Sequence, residues 1–230
     1  MHAARPVSCG NRHAADPGLR YHPAPGHSKE PTMARVRDIP IDEVPADVRP
    51  VYQRFATDYG PFLNQVKVFA HRPPALKHLM GMLLDFADEA VLPKRYLEIA
   101  LVVASKLMEC TYCVGHHAPR LVDLGVAPES VDRILDETVP GFDAVDHLVR
   151  DYAVQVTENP QRIRDGMFGE LRRHFSEEQI VELTLRTALC GFFNRFNDAL
   201  QIEMEDGVIE DMLSRGFTEA SLPHHADAAD

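Results

Sequence analysis

The residues best suited to chemistry lie in one short segment that runs from Glu98 to His117. Within it, Cys110 and Cys113 form a CxxC pair, and His117 follows Cys113 by four residues. A cysteine must be a thiolate to attack an electrophile, and a CxxC at a helix start lowers the cysteine pKa through the helix dipole and through neighbours that share the proton. The segment therefore predicts a thiol redox centre, with Glu98 and His117 as its proton relay.

The spacing of these residues predicts how they meet. If two antiparallel helices turn near residues 108 to 110, Glu98 faces the neighbourhood of His117. Cys113 and His117 are four residues apart, which places them on one helix face. His116 points about a hundred degrees round the same helix and is the weaker candidate.

Other polar residues near this pattern are open to two interpretations. Tyr112, between the cysteines, is either a packed aromatic ring or a hydroxyl donor to the site. Cys190 has apolar neighbours in the sequence, which predicts a core position. A polar cluster lies in a helix rich in aromatic residues: Asn194, Arg195, Asn197 and Asp198. We expect this cluster to form a structural network or an oligomer contact, in which Arg195 and Asp198 can pair at three-residue spacing.

The bulk composition excludes several classes of function. A chain of 230 residues is long enough for one sizeable core, so one domain is expected. The net charge of −11 argues against a nucleic-acid partner. No apolar run suits a membrane span or a secretory signal, and four sparse cysteines do not form an extracellular disulfide framework. A cytoplasmic protein, with no membrane association, is predicted.

The chain divides into three parts. Residues 1–32 mix Pro, Gly, His and Arg without a hydrophobic period, which predicts a disordered leader. Met33 is an alternative start of translation, in which case the leader would not be translated. Residues 33–220 are predicted to form the folded domain, and residues 221–230 a polar tail.

The hydrophobic period throughout this domain is helical, which predicts an all-α fold. Strand-like alternation does not compete with it. Helices are expected to run from Pro74, from near Pro93, from Thr111 to Leu124, from Pro128 to about Leu135, from about Phe142 to Val156, and from Ser176 towards Gly207.

An internal echo links two of these helices. The segment that begins at Glu98 aligns with the one that begins at Glu182, and in that register Cys113 falls on Asn197. A match this short is also what two unrelated amphipathic helices produce.

The pattern of Glu, eleven residues, Cys, two residues, Cys, three residues, His resembles the signature of the AhpD-like superfamily, also called the carboxymuconolactone decarboxylase family. The close match covers about twenty residues, and the helical order is compatible over roughly residues 60–205. The resemblance implies an oligomeric all-helical domain with antiparallel hairpins that reduces hydroperoxides without a bound cofactor or metal. Cys113 would be the peroxidatic thiolate and Cys110 the resolving thiol. An external dithiol protein would reduce the disulfide.

The chain departs from the best-known alkylhydroperoxidases at Tyr112, where those carry a relay histidine. This departure leaves a general disulfide reductase open as an alternative. Lactone decarboxylation is disfavoured, because the true decarboxylases of the family dispense with the dithiol. The alternative outside enzyme function is a non-enzymatic helical module, in which the cysteines could bind zinc.

Overall fold

The computed structural model of the protein describes residues 34–60 and 62–223. This part of the chain is helical and contains no strand, which confirms the predicted all-α fold. Its α-helices are α1 (Arg49–Arg54), α2 (Leu63–Phe69), α3 (Pro73–Ala75), α4 (Gly81–Glu89), α5 (Lys94–Leu107), α6 (Thr111–Asp123), α7 (Pro128–Asp132), α8 (Ala144–Glu158), α9 (Asp165–His174), α10 (Glu177–Leu200) and α11 (Val208–Ser214). Short π-helical turns cover Phe55–Tyr59 and Leu76–Met80, and 3-10 turns cover Ile41–Glu43, Pro160–Arg162 and Glu219–Ser221.

The hairpin of α5 and α6 turns where its spacing predicts. Met108 ends α5, Glu109 adopts a left-handed conformation with φ of 55°, and Cys110 is the N-cap of α6. Cys110 therefore lies at the boundary of the helix, and Cys113 lies in its first turn. The turn is short because one left-handed residue is enough to reverse the chain direction.

The ends of the other helices follow local signals. Ser176 caps α10 in a capping box with Gln179, as its sequence predicts. Gly125 follows α6 with φ of 87°, which is the left-handed conformation expected of a C-terminal glycine. Asn159 ends α8 immediately before Pro160.

Some elements differ from the expectation. The helix expected from Pro74 is three consecutive elements, because a π-helical turn separates α3 from α4. The helix expected to reach Leu135 ends at Asp132. Sequence analysis did not predict α1, α2, α9 or α11, which are short helices of six to ten residues.

The core is built around α5. Ile99, Val102 and Val103 are fully buried and pack in one cluster with Val149 of α8 and Leu183 of α10. Helix α6 also packs against α5 and α10. This burial on several sides holds the α5–α6 hairpin rigidly.

The C-terminal boundary of the domain lies beyond the predicted residue 220. Ser221 is buried and donates a hydrogen bond of 2.8 Å to Asp132 Oδ2, and Leu222 packs against the main core. Thr111, the first residue of α6, donates to the carbonyl of Pro223 at 2.7 Å. The predicted leader and the rest of the predicted tail lie outside the described residues. In the described ranges, none of the helices has the length and hydrophobicity needed to cross a bilayer.

Candidate active site

The predicted meeting of Glu98 and His117 is confirmed. His117 Nδ1 lies 2.8 Å from Glu98 Oε2, and both residues are buried. Arg120, one turn further along α6, lies 3.7 Å from Glu98 Oε1 and donates to the carbonyl of Tyr59 at 2.7 Å. Glu98 therefore bridges an imidazole and a guanidinium.

The electrostatics of this pair make His117 a base. Burial raises the pKa of Glu98, but His117 and Arg120 outweigh burial, so the net pKa lies below its usual value. Burial lowers the pKa of His117, and Glu98 only partly offsets it. An ionised Glu98 accepts the proton of Nδ1, which leaves Nε2 of a neutral His117 as the proton acceptor.

The two cysteines of the CxxC motif are free thiols in the reduced state. Cys110 is fully buried, and Cys113 is 4% exposed. The expectation of a lowered cysteine pKa is wrong for Cys113 in this conformation. The hydrogen bond with Cys110 raises the pKa of Cys113 well above its usual value, and burial adds to the effect. A neighbouring thiol and a low dielectric outweigh the favourable position in the first helical turn.

The sequence did not predict the amide that contacts this thiol. Asn197 Nδ2 of α10 donates to Cys113 Sγ at 3.3 Å. Gln65 Nε2 of α2 donates to Asn197 Oδ1 at 2.9 Å. Asn197 was assigned to a structural or oligomer cluster. The only signal for its role was the internal echo, which places it at the register position of Cys113.

Cys113 and His117 line the same small cavity, of about 40 Å³. No hydrogen bond joins these two side chains in the described residues. Most of the other lining residues are apolar, among them Phe55, Phe62 and Phe193. A volume of roughly 10–15 Å³ is enough for one water molecule, so the cavity has room for a molecule as small as hydrogen peroxide beside the thiol and the imidazole.

A larger cleft, of about 790 Å³, lies on the other side of the relay. Glu98 lines the cleft, whereas His117 lines the small cavity. Tyr59 and Arg186 line both spaces, and Arg186 donates to the Tyr59 hydroxyl at 2.7 Å. The Glu98–His117 hydrogen bond therefore connects the buried thiol cavity with an open cleft.

His116 and Tyr112 belong to a different cluster. Both contact Glu205: His116 Nε2 lies 2.7 Å from one carboxylate oxygen, and the Tyr112 hydroxyl donates to the other at 2.9 Å. The Tyr112 ring is packed and its hydroxyl points to Glu205, so the role of Tyr112 as a hydroxyl donor to the site stays a prediction. The pKa of Tyr112 is raised well above its usual value, first by burial and then by Glu205. No sequence pattern pointed to Glu205.

The remaining cysteine of the described chain occupies a core position, as predicted. Cys190 donates to the carbonyl of Leu101 at 3.6 Å and contacts Ser105 Oγ at 3.4 Å. Burial raises the pKa of Cys190 to about 12, so it remains a thiol near neutral pH. In residues 34–60 and 62–223, no group of three or more Cys, His, Asp or Glu side chains is arranged to hold a metal ion.

The ion pair that three-residue spacing permits between Arg195 and Asp198 is not the contact that the structure shows for Arg195. Arg195 instead donates to the carbonyl of Gly191, one turn earlier in the same helix, at 2.8 Å. Three-residue spacing permits such a pair, but a long arginine side chain also reaches backbone carbonyl groups of its own helix.

Comparison with known families agrees with this geometry. Residues 73–149, which include α5, α6 and both cysteines of the CxxC motif, match the model of the carboxymuconolactone decarboxylase family. The similarity to this family therefore covers the hairpin that carries the CxxC motif. The matched range ends before α10, so Asn197 lies outside it.

A curated relative of this chain is the uncharacterized protein YnjA of Escherichia coli K12. The two are 23% identical over 166 residues, which is 71% of this chain and 91% of YnjA.

Solved structures share the fold. The alkylhydroperoxidase AhpD core of a peroxidase-related protein from Ralstonia eutropha superposes with a TM-score of 0.66 at 21% identity, over 82% of this chain and all of that one. The debrominase Bmp8, bound to 2,3,4-tribromopyrrole, superposes with a TM-score of 0.60 at 18% identity, over 74% of this chain and 91% of Bmp8. Because one fold carries both names, the site itself must decide the chemistry.

Proposed function

We propose that this protein is a cofactor-independent thiol peroxidase that reduces small hydroperoxides through a Cys110–Cys113 dithiol and disulfide cycle. The observation that carries the proposal is the small cavity shared by Cys113 and His117, with Glu98 behind the imidazole. A carboxylate, an imidazole and a thiol around one small cavity support the roles of acid, base and nucleophile.

The first step is nucleophilic attack. His117 Nε2 takes the Cys113 proton through the cavity, and the thiolate attacks the terminal oxygen of the hydroperoxide. The O–O bond breaks, Cys113 becomes a sulfenic acid, and the leaving alkoxide takes the proton back from His117. Glu98 stabilises the transient imidazolium because its carboxylate accepts from Nδ1.

The second step forms the disulfide. The Cys110 sulfur attacks the sulfenic acid of Cys113, and water leaves with the Cys110 proton. The two thiols are already in contact, so resolution needs little movement of the backbone. An external dithiol then reduces the disulfide by thiol–disulfide exchange and returns both cysteines to the free state.

The burial of the thiols selects between substrates. A general disulfide reductase must present a thiol to a bulky disulfide, but Cys110 is fully buried and Cys113 is 4% exposed. A bromopyrrole ring fits the 790 Å³ cleft, but that cleft is not lined by either cysteine. A small peroxide therefore fits the site better than either alternative, and exchange with a dithiol requires local opening of the hairpin.

The proposal is tested by peroxide consumption with hydrogen peroxide as substrate and dithiothreitol as reductant. Cys113→Ser should abolish turnover and form no sulfenic acid. Cys110→Ser should form a sulfenic acid on Cys113 that dimedone traps, because no thiol resolves it. Cys190→Ser is the matched control, since Cys190 is equally buried, and it should retain turnover.

Two outcomes would contradict the proposal. Equal residual turnover in Cys113→Ser and the wild type would remove the nucleophile from the mechanism. A wild type whose thiols do not react with hydrogen peroxide faster than free cysteine would exclude a peroxidase.

A further inference from the structure

The Asn197 side chain lies between the Cys113 thiol and the Gln65 amide, and it donates a hydrogen bond to the first and accepts one from the second. Its amide nitrogen donates to Cys113 Sγ at 3.3 Å, and its oxygen accepts from Gln65 Nε2 at 2.9 Å. Asn197 is 1% exposed and Gln65 is 4% exposed, so water does not compete for these contacts. The amide is thus held with its donor towards the sulfur.

The donor is placed where negative charge develops. A hydrogen bond to an ionised acceptor is roughly twice as strong as one between neutral groups, so an N–H aimed at sulfur favours the thiolate over the thiol. We propose that Asn197 is a catalytic hydrogen-bond donor to the Cys113 thiolate and that Gln65 is the positioning residue that fixes its orientation. This inference rests on the proposed function, because it assumes that Cys113 is the nucleophile.

The surroundings of Cys113 show why such a donor is needed. Cys110 at the α6 N-cap, burial and Cys190 of α10 all raise the pKa of Cys113, whereas the Asn197 amide lowers it. The small cavity also brings His117 of α6, Arg186 of α10 and Tyr59 of the π-helical turn towards the sulfur. His117 accepts the thiol proton, but the anion left behind needs its own stabilising contact.

Asn194 supplies a control with different hydrogen-bond partners. It lies one turn before Asn197 on α10 and is fully buried. Its amide nitrogen donates to the backbone carbonyl of Ala104 at 3.2 Å and its oxygen accepts from Cys190 Sγ at 3.6 Å, so neither hydrogen bond goes to a cysteine of the CxxC motif. Replacement of Asn194 therefore reports the cost of losing a buried amide on this helix without a direct effect on the Cys113 thiolate.

The experiment measures the thiolate without a peroxide. The full-length reduced protein is labelled with iodoacetamide, a small electrophile that reacts with thiolates and leaves a thioether that Cys110 cannot displace, and Cys113 is followed by peptide mass spectrometry across a pH series. Asn197→Ser should shift the rate profile upward by about one pH unit, so labelling at a fixed pH below the midpoint falls about tenfold. Gln65→Met should shift it in the same direction by less, and Asn194→Ser should leave it in place.

The two variants at the contact keep the test decisive if Asn197→Ser folds poorly, because Gln65→Met retains Asn197 and nearly the length of Gln65. Profiles of both variants that coincide with those of the wild type and Asn194→Ser would overturn the inference. Peroxide turnover with an unshifted Asn197→Ser profile would overturn the inference and retain the peroxidase. A shifted Asn197→Ser profile in a protein whose wild type reduces no peroxide would retain the inference about Asn197 and overturn the peroxidase function.

Discussion

Helix α6 carries two adjacent histidines, and each lies beside a glutamate at nearly the same distance. His117 contacts Glu98 at 2.8 Å, and His116 contacts Glu205 at 2.7 Å. His117 faces the small cavity that also contains Cys113. His116 Nδ1 instead lies 2.6 Å from the carbonyl of Tyr112, and its ring stacks on Phe62 with centroids 4.6 Å apart.

The difference shows that an acid–imidazole pair is not by itself a relay. His116 has oxygen neighbours at both ring nitrogens, so neither nitrogen is available for a transferred proton. His117 has its carboxylate on one side and a cavity with a thiol on the other. The first pair joins α6 to the segment that follows α10. The second pair is the one that moves a proton in the proposed mechanism.

The largest contrast is expected from replacing each histidine by glutamine. His117→Gln should lower the rate of peroxide reduction by about 100-fold or more, because it removes the general base. His116→Gln should keep that rate within a factor of about three, yet lower the free energy of unfolding by about 1–3 kcal/mol, since Glu205 loses a buried partner. Stopped-flow oxidation and denaturant unfolding measure the two quantities. Equal losses of rate in both variants would show that the two pairs act alike.

A smaller effect is expected in the pH dependence of stability. The folded-state pKa of His117 lies below its ordinary value because burial disfavours the imidazolium. The unfolded chain therefore binds more protons below about pH 6.5, so this stabilisation is fully present above that pH and is lost as pH falls through the folded-state pKa. Glu98, whose net pKa is also lowered, contributes stability that is lost at still lower pH.

The measurement is the unfolding free energy in urea at a series of pH values. His117→Gln should flatten the slope just below about pH 6.5 relative to the wild type. An unchanged slope in this variant would mean that His117 does not remain neutral in the folded protein.

The smallest effect is expected at Tyr112. Tyr112→Phe removes the hydroxyl that donates to Glu205 and keeps the ring packing, so it should cost about 1 kcal/mol of unfolding free energy. The rate of Cys113 oxidation should stay within a factor of about two, because the hydroxyl does not face the thiols. A tenfold lower rate of Cys113 oxidation in Tyr112→Phe would show that the Tyr112 hydroxyl takes part in catalysis.

Much of the hairpin was predictable because its signals are local. Helix α6 and its cap, the left-handed Gly125 and the facing of Glu98 with His117 all follow from spacing and end signals. Short helices such as α1 and α11 were missed because a few residues carry too little period to be distinguished from a loop. Gln65 and Glu205 reach the site from distant parts of the chain without any motif, so no local pattern could assign them.

The sequence by itself determined the all-α fold, the hairpin and the order of acid, thiols and imidazole along it, since helical periodicity fixes which residues share a face. Only the tertiary structure decided which histidine faces the cavity of Cys113, where Tyr112 points, and that the contact with Cys110 and burial raise the pKa of Cys113 while Asn197 lowers it. The physical reason is that desolvation and hydrogen-bond orientation depend on atoms from helices far apart in the sequence.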